Sequence, residues 1–251
     1  MPTSTMLHNI IQFLKDEQRV SKYLTLHQSP YFLAIQGVQG SGKTTLVRVI
    51  SFISCPPLDH FTSVLLRTQS YSINLQAKEL AEILRSPPWS LPTIVISIDD
   101  FYLTREDQLA LAKQYPDNPL IQHRGQASTH DINLWRTTFE GLQAGKRTAI
   151  PQYDKSRFDG RGDRVDLEQW QHVNENEVIK VVIFEGWNVG FRALPEDQIK
   201  TKWEAAHKLK EENPSVYKGQ LGRNRLDDLL FVNNALKLEE EFHEFVMYNT
   251  L

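Results

Sequence analysis

The sequence predicts a three-layer α/β fold: a mostly parallel sheet with helices on both faces, in one domain over residues 1–251. Three observations carry this. Short apolar runs alternate with helical patterns, as when crossover helices join parallel strands. The strongest runs, Tyr31–Ile35, Pro92–Ile98 and Val178–Phe184, are mostly apolar and rich in β-branched or aromatic residues, so both of their faces are expected to be buried. Each run is followed by chemically loaded residues: a glycine-rich stretch with a lysine, a pair of aspartates, a glutamate. In open α/β sheets ligands bind beyond the carboxyl ends of the strands.

The elements follow in order. Leu7, Ile10, Ile11, Leu14, Val20, Tyr23 and Leu24 recur at helical spacing, predicting a helix over 6–24 within an N-terminal segment 1–28. Strand 31–36 leads into the glycine-rich stretch and a helix starting near Lys43. A second strand covers 92–98. Thr104 with Asp107 three residues later resembles a capping box and opens a helix over 104–115, which Pro116 and Pro119 stop. A helix over 131–145 ends at Gly145. A polar loop rich in glycine and arginine spans 151–164, and the third strand covers 178–184. The C-terminal segment 196–251 is charged and mostly helical, over 196–212 and 226–248. There are no internal repeats.

Of the 251 residues, 40% are hydrophobic, enough for one α/β core. The formal net charge of -3 gives no basic face for a nucleic-acid partner. One cysteine, Cys55, excludes an internal disulfide and a cysteine-rich metal site. No apolar run approaches the ~18 residues of a membrane span, and Asp16 and Glu17 interrupt any signal-peptide pattern. The expectation is a soluble, cytoplasmic protein without a membrane partner.

Gly37-Val38-Gln39-Gly40-Ser41-Gly42-Lys43-Thr44 fits G-x-x-x-x-G-K-[ST], the P-loop. Its glycines let successive backbone N–H groups turn inward on an anion. In that pattern Lys43 places a charge on the β/γ-phosphates of ATP, and Thr44 holds Mg²⁺. Thr45 completes the nucleotide-binding stretch. Glu185, behind four apolar residues, suits Mg²⁺ binding or water positioning, or is an ordinary strand-end acid. Asp99 or Asp100 can accept the proton of an attacking hydroxyl, or cap the next helix; Asp99 also stands with Thr44 and Glu185 as a candidate Mg²⁺ ligand. The loop Arg124–Asp131 mixes donors with one acid, and either faces a substrate or begins a helix at Thr129 or Asp131. Lys155, Arg157, Arg161 and Arg164 suit carboxylate or phosphate in one loop, whose plainer reading is a solvated hairpin. Arg161-Gly162-Asp163 also matches an adhesion tripeptide. No N-K-x-D guanine motif and no L-S-G-G-Q-like signature is present, which argues against a GTPase or a transporter ATPase.

The P-loop, Ile98-Asp99-Asp100-Phe101-Tyr102-Leu103-Thr104, His123-Arg124-Gly125, Thr129-His130-Asp131, Pro151–Ser156, Gly160–Arg164 and Phe184-Glu185-Gly186-Trp187 occur in that order. Together they resemble the plant-type D-glycerate 3-kinase family and its fungal relatives, and more remotely uridine kinase, phosphoribulokinase and pantothenate kinase. The resemblance covers about residues 31–240. It implies phosphorylation of a small hydroxylated metabolite by ATP with Mg²⁺, with Asp99 as base and Lys43, Asp100 and Glu185 beside it. It implies an acceptor site shaped by His130, Asp131, Tyr153 and Asp154, with Arg124, Lys155, Arg161 and Arg164 for the acid group or the transferring phosphoryl. A nucleotide-binding protein without phosphotransfer is the alternative. The family pattern continues beyond Leu251 with a further strand and helices, so the C-terminal part is expected to be truncated. Residues 47–76 match nothing in it. Joining Leu46 to Ala77 makes one amphipathic helix after the P-loop, so 47–76 reads as an insertion, natural or a retained intron that kept the frame.

Overall fold

The computed structural model describes residues 19–26, 30–37, 45–51, 62–68 and 73–248. The P-loop residues 38–44, Cys55 and most of the predicted helix 6–24 lie outside them. The chain runs α1 (Arg19–Leu26), β1 (Tyr31–Gly37), β2 (Thr45–Ser51), β3 (Thr62–Thr68), α2 (Ile73–Arg85), β4 (Thr93–Ser97) and α3 (Arg105–Gln114). It continues through α4 (Ile132–Gln143), β5 (Thr148–Ile150), β6 (Tyr153–Asp154), β7 (Asp163–Arg164), β8 (Gln171–Val173), β9 (Val181–Gly186), α5 (Glu196–Glu212) and α6 (Leu226–Tyr248).

The main sheet has the order β3-β2-β1-β9-β4. Its centre is parallel: β9 pairs with β1 on one side and β4 on the other, Glu185 facing both Ile35 and Ser97 in register. Alternation along these strands feeds two cores. Tyr31, Leu33, Ile35, Val181 and Ile183 pack on one face beneath Val20 and Tyr23 of α1 and Ala77, Leu80 and Leu84 of α2. Phe32, Ala34, Ile94, Ile96, Val182 and Phe184 pack on the other beneath Trp135, Phe139 and Leu142 of α4. Burial on both faces is why the strands read as apolar runs rather than as an alternation.

Two expectations need correction. Among the described residues, the helix predicted to start near Lys43 is replaced by strand. Thr45–Ser51 is instead a strand antiparallel to β1, and Thr62–Thr68 pairs with it as a hairpin edge. Val47, Val49, Ile50, Val64 and Thr68 supply the β-branched side chains that disfavour helix and favour strand. The helix begins only at Ile73, so the last four residues of segment 47–76 form the first turn of α2. The third strand is also displaced. It runs over Val181–Gly186, so Glu185 and Gly186 lie inside it, because parallel pairing continues to Gln36–Gly186. The lead-in is held by single hydrogen bonds: Ile179 N–H donates to Asn174 Oδ1 at 2.8 Å, Lys180 N–H to the Pro92 carbonyl at 2.8 Å, and Tyr31 N–H to the Lys180 carbonyl at 2.8 Å.

Other boundaries match the expectations closely. Thr104 caps α3, accepting from Asp107 N–H at 3.2 Å and donating its hydroxyl to Asp107 Oδ2 at 2.6 Å. Asp131 caps α4 by accepting from Leu134 N–H at 3.0 Å, and Gly145 sits beyond its end at φ 60°. No described helix is long and apolar enough to cross a membrane.

Candidate active site

Parallel pairing brings three strand ends to one edge. Gly37, which starts the P-loop sequence, ends β1; Glu185 and Gly186 end β9; Asp99 and Asp100 follow β4 in a 3-10 turn over Ile98–Phe101. Ser97 shapes that turn by accepting from Asp99 N–H at 3.4 Å. The approach of β9 to the turn is close. A Cβ on Gly186 would lie 2.3 Å from Ile98 Cγ2, so only glycine fits there.

Glu185 is buried at 5% exposure, and its Oε1 accepts from Asn74 Nδ2 at 3.1 Å. Asn74 comes from the segment read as an insertion, and the sequence offers no sign of the contact. Asp100 accepts from Tyr153 N–H at 3.1 Å. Burial first, and then the nearby charges of Asp99 and Glu185, push its carboxyl up to about 6 against the opposing backbone hydrogen bonds of Tyr153 and Ser97. Asp99 is paired with the Lys155 ammonium. Burial and then the Asp99 charge hold the Tyr102 hydroxyl well above the usual range, so it stays a proton donor.

In front of Asp99 opens a cavity of about 540 Å³. Of the residues predicted from sequence, Asp99, Arg124, Tyr153, Lys155 and Arg161 line it. His123, from the His123-Arg124-Gly125 motif, lines it as well, as do Arg105 and Gln108, to which no sequence motif points. Arg124 stretches over the Tyr153 ring, 5.7 Å from its centroid, and donates to the Gly160 carbonyl at 2.8 Å and to that of Arg161. Burial raises the Tyr153 hydroxyl above its ordinary pKa, with Arg124 opposing.

The remaining predicted residues build walls. Arg164 donates to Asp131 Oδ2 at 3.1 Å and to the Tyr102 carbonyl at 2.8 Å, tying β7 to the cap of α4. Asp154 accepts from the amide and hydroxyl of Ser156 at 2.9 and 2.6 Å, which together hold its carboxyl below the ordinary range and make it a turn former. His130 lies behind the cavity, its ring stacked on Tyr102 at 4.6 Å. His130 Nδ1 is 2.8 Å from Glu239 Oε1, and Asn188 Nδ2 donates to Glu239 Oε2 at 3.1 Å. Glu239 and the His130 side chain are fully buried, so α6 is anchored by a carboxylate that bridges two loops. Glu239 stands in the run Glu239-Glu240-Glu241, whose sequence signal is a solvated helix face.

A sheet whose parallel strands carry a P-loop sequence, a buried glutamate and paired aspartates at their ends is an α/β P-loop kinase fold. No family model matches the chain. It is 37% identical over 167 residues to a Schizosaccharomyces pombe protein named uncharacterized kinase mug58, covering 66% of this chain and 48% of that one. It is 44% identical over 109 residues to the chloroplastic D-glycerate 3-kinase of Arabidopsis thaliana, covering 42% and 24%. The solved D-glycerate 3-kinase of Cryptococcus neoformans aligns at TM-score 0.68 and 27% identity, over 94% of this chain and 69% of that one. The chain is a homologue of the D-glycerate 3-kinase-like kinases, and spans about half or less of these two curated relatives.

Proposed function

We propose that this protein transfers the γ-phosphoryl group of ATP to a hydroxyl of a small hydroxy acid, with D-glycerate first among the acceptors. One observation carries the reading: the P-loop start, Glu185 and Asp99 converge at the ends of three adjacent parallel strands, over a cavity lined by Arg105, Arg124, Lys155 and Arg161.

The residues present fit Mg²⁺. Among the described residues no group of three or more His, Cys, Asp or Glu could hold a metal. Mg²⁺ needs no such cage, since one or two carboxylates with substrate phosphates and water suffice. Glu185 and Asp99, at neighbouring strand ends, would hold it with Thr44, and it would neutralise charge on the phosphates. The chain's own part is positioning and charge neutralisation. Asp99 accepts the proton of the acceptor hydroxyl as its oxygen attacks phosphorus. An anion entering the cavity competes with Asp99 for the Lys155 ammonium, which frees the carboxylate for that role. Tyr102, kept protonated, orients Asp99. His130 and Asp131 act through Tyr102 and Arg164.

The test is ATP consumption with Mg²⁺ against D-glycerate, pantothenate, uridine, ribulose 5-phosphate and other sugar acids. For the Asp99→Asn variant, turnover should fall by about 10²–10⁴-fold, the usual worth of a general base, with the affinity for ATP measured without Mg²⁺ kept. Undiminished turnover would reject Asp99 as base. ATP binding without turnover on any acceptor would leave a nucleotide-binding protein. Residues 47–76 are proposed as an insertion whose hairpin extends the sheet beside β1. Peptide mapping of the native protein that recovers this segment would exclude a retained intron as its origin.

A further inference from the structure

Arg105 opens α3 at the cavity, with its amide donating to Asp163 Oδ1 at 2.8 Å. Its guanidinium carbon lies over the Phe158 ring, 4.3 Å from the centroid. Phe158 and Asp159 hold φ of 52° and 55°, a left-handed conformation that a bulky L-residue disfavours. The loop therefore holds this ring on Arg105 against its local preference, an arrangement typical of functional sites. Arg105 Nε is buried without a hydrogen-bond partner among the described residues. So is Gln108 Oε1, one turn further along α3, while Gln108 Nε2 is committed to the Ile121 carbonyl at 2.8 Å.

The neighbouring cations are engaged. Lys155 meets Asp99, Arg124 meets two carbonyls, and Arg164 meets Asp131. Among the described residues, the Arg105 and Arg161 side chains line the cavity with no carboxylate partner. A guanidinium taken partly out of water without an anion is costly. Its planar fork matches the two oxygens of a carboxylate. Topology separates it from the nucleotide: the P-loop grows from β1, whereas Arg105 follows β4, on the far side of β9.

We infer that Arg105, with Arg161, forms the seat for the carboxylate of the acceptor, and that Gln108 Oε1 accepts a hydrogen bond from an acceptor hydroxyl. This rests on the proposed transfer to a hydroxy acid, so the test separates the two. D-glycerate and glycerol, which lacks the carboxylate, are titrated calorimetrically into the full chain and into R105M and R105K, and kcat and KM are measured with MgATP. R105M should weaken D-glycerate binding by about 10–100-fold, as loss of a charged hydrogen-bonding group does. R105K should fall between R105M and the wild type, and the KM for ATP should move by less than about twofold. Weak glycerol binding should be the same in all three proteins. D-glycerate binding that is lost in R105M, in a wild type that does not turn over, would uphold the seat and sink the phosphotransfer reading. Undiminished D-glycerate binding in R105M, a raised KM for ATP instead, or no D-glycerate binding by the wild type would each overturn the seat. If R105M fails to fold, R105K decides, and affinity equal to that of the wild type overturns it.

Discussion

Replacing Asp100 with Asn tests how the strand end after β4 manages its charge. Asp100 is enclosed by the 3-10 turn and by Tyr153, whose N–H it accepts at 3.1 Å. Burial raises its carboxyl from 3.8 to about 6. The unfolded chain releases that proton near the ordinary value, while the fold retains it to about 6. Between those limits the folded state binds more protons, so stability falls as pH rises through the window and levels off above it. The full cost at neutral pH is about 3 kcal/mol, at roughly 1.4 kcal/mol per pH unit. Asn copies the protonated acid and keeps Oδ1 as the acceptor for Tyr153. Asp100→Asn should therefore exceed the wild type in stability by about 1 kcal/mol at pH 4.5 and about 3 kcal/mol at pH 8. Urea unfolding at both pH values measures the difference. An advantage of equal size at the two, or a larger one at pH 4.5, would refute the buried-acid argument.

Two further predictions concern the frame of the site. Gly186→Ala drives a Cβ to 2.3 Å from Ile98 Cγ2 and 3.1 Å from Val189 Cγ2, and overpacking of this kind costs about 1–3 kcal/mol; an unchanged unfolding midpoint would show that the turn after β4 yields freely. Glu239→Ala strands the buried donors on His130 and Asn188, at about 1–3 kcal/mol each. Denaturant unfolding should register a loss of several kcal/mol, and a loss under about 1 kcal/mol would mean that α6 is held by apolar contact alone.

Much of this molecule is written locally. Continuous apolar runs reveal strands covered on both faces, and Phe32–Ala34 and Val181–Ile183 are buried as those runs require. Thr104 and Asp131 sit where caps are expected, because a cap needs only a side-chain oxygen and an amide two or three residues away. The P-loop motif, the aspartate pair and Glu185 are legible for the same reason, each being a short pattern at the end of an apolar run. The helix expected directly after the P-loop gives way to β2 and β3, because the β-branched residues of this segment pair along β1 and one another.

Fold class, core strands and helix caps are therefore legible in the chain alone, as are the short motifs that mark the candidate site. Tertiary structure alone decided which charges are free and which are spent. Arg164 is consumed by Asp131, Asp154 by its own turn, and Lys155 by Asp99, whereas Arg105 Nε at the cavity has no partner among the described residues. Leu238 is 57% exposed and its neighbour Glu239 is 0% exposed, the reverse of what hydropathy suggests. The physical reason is range. Caps and strand patterns depend on neighbours a few residues apart, while the Glu239–His130 contact spans 109 positions and the Asn74–Glu185 contact spans 111, so only packing of the whole chain assigns these groups their partners.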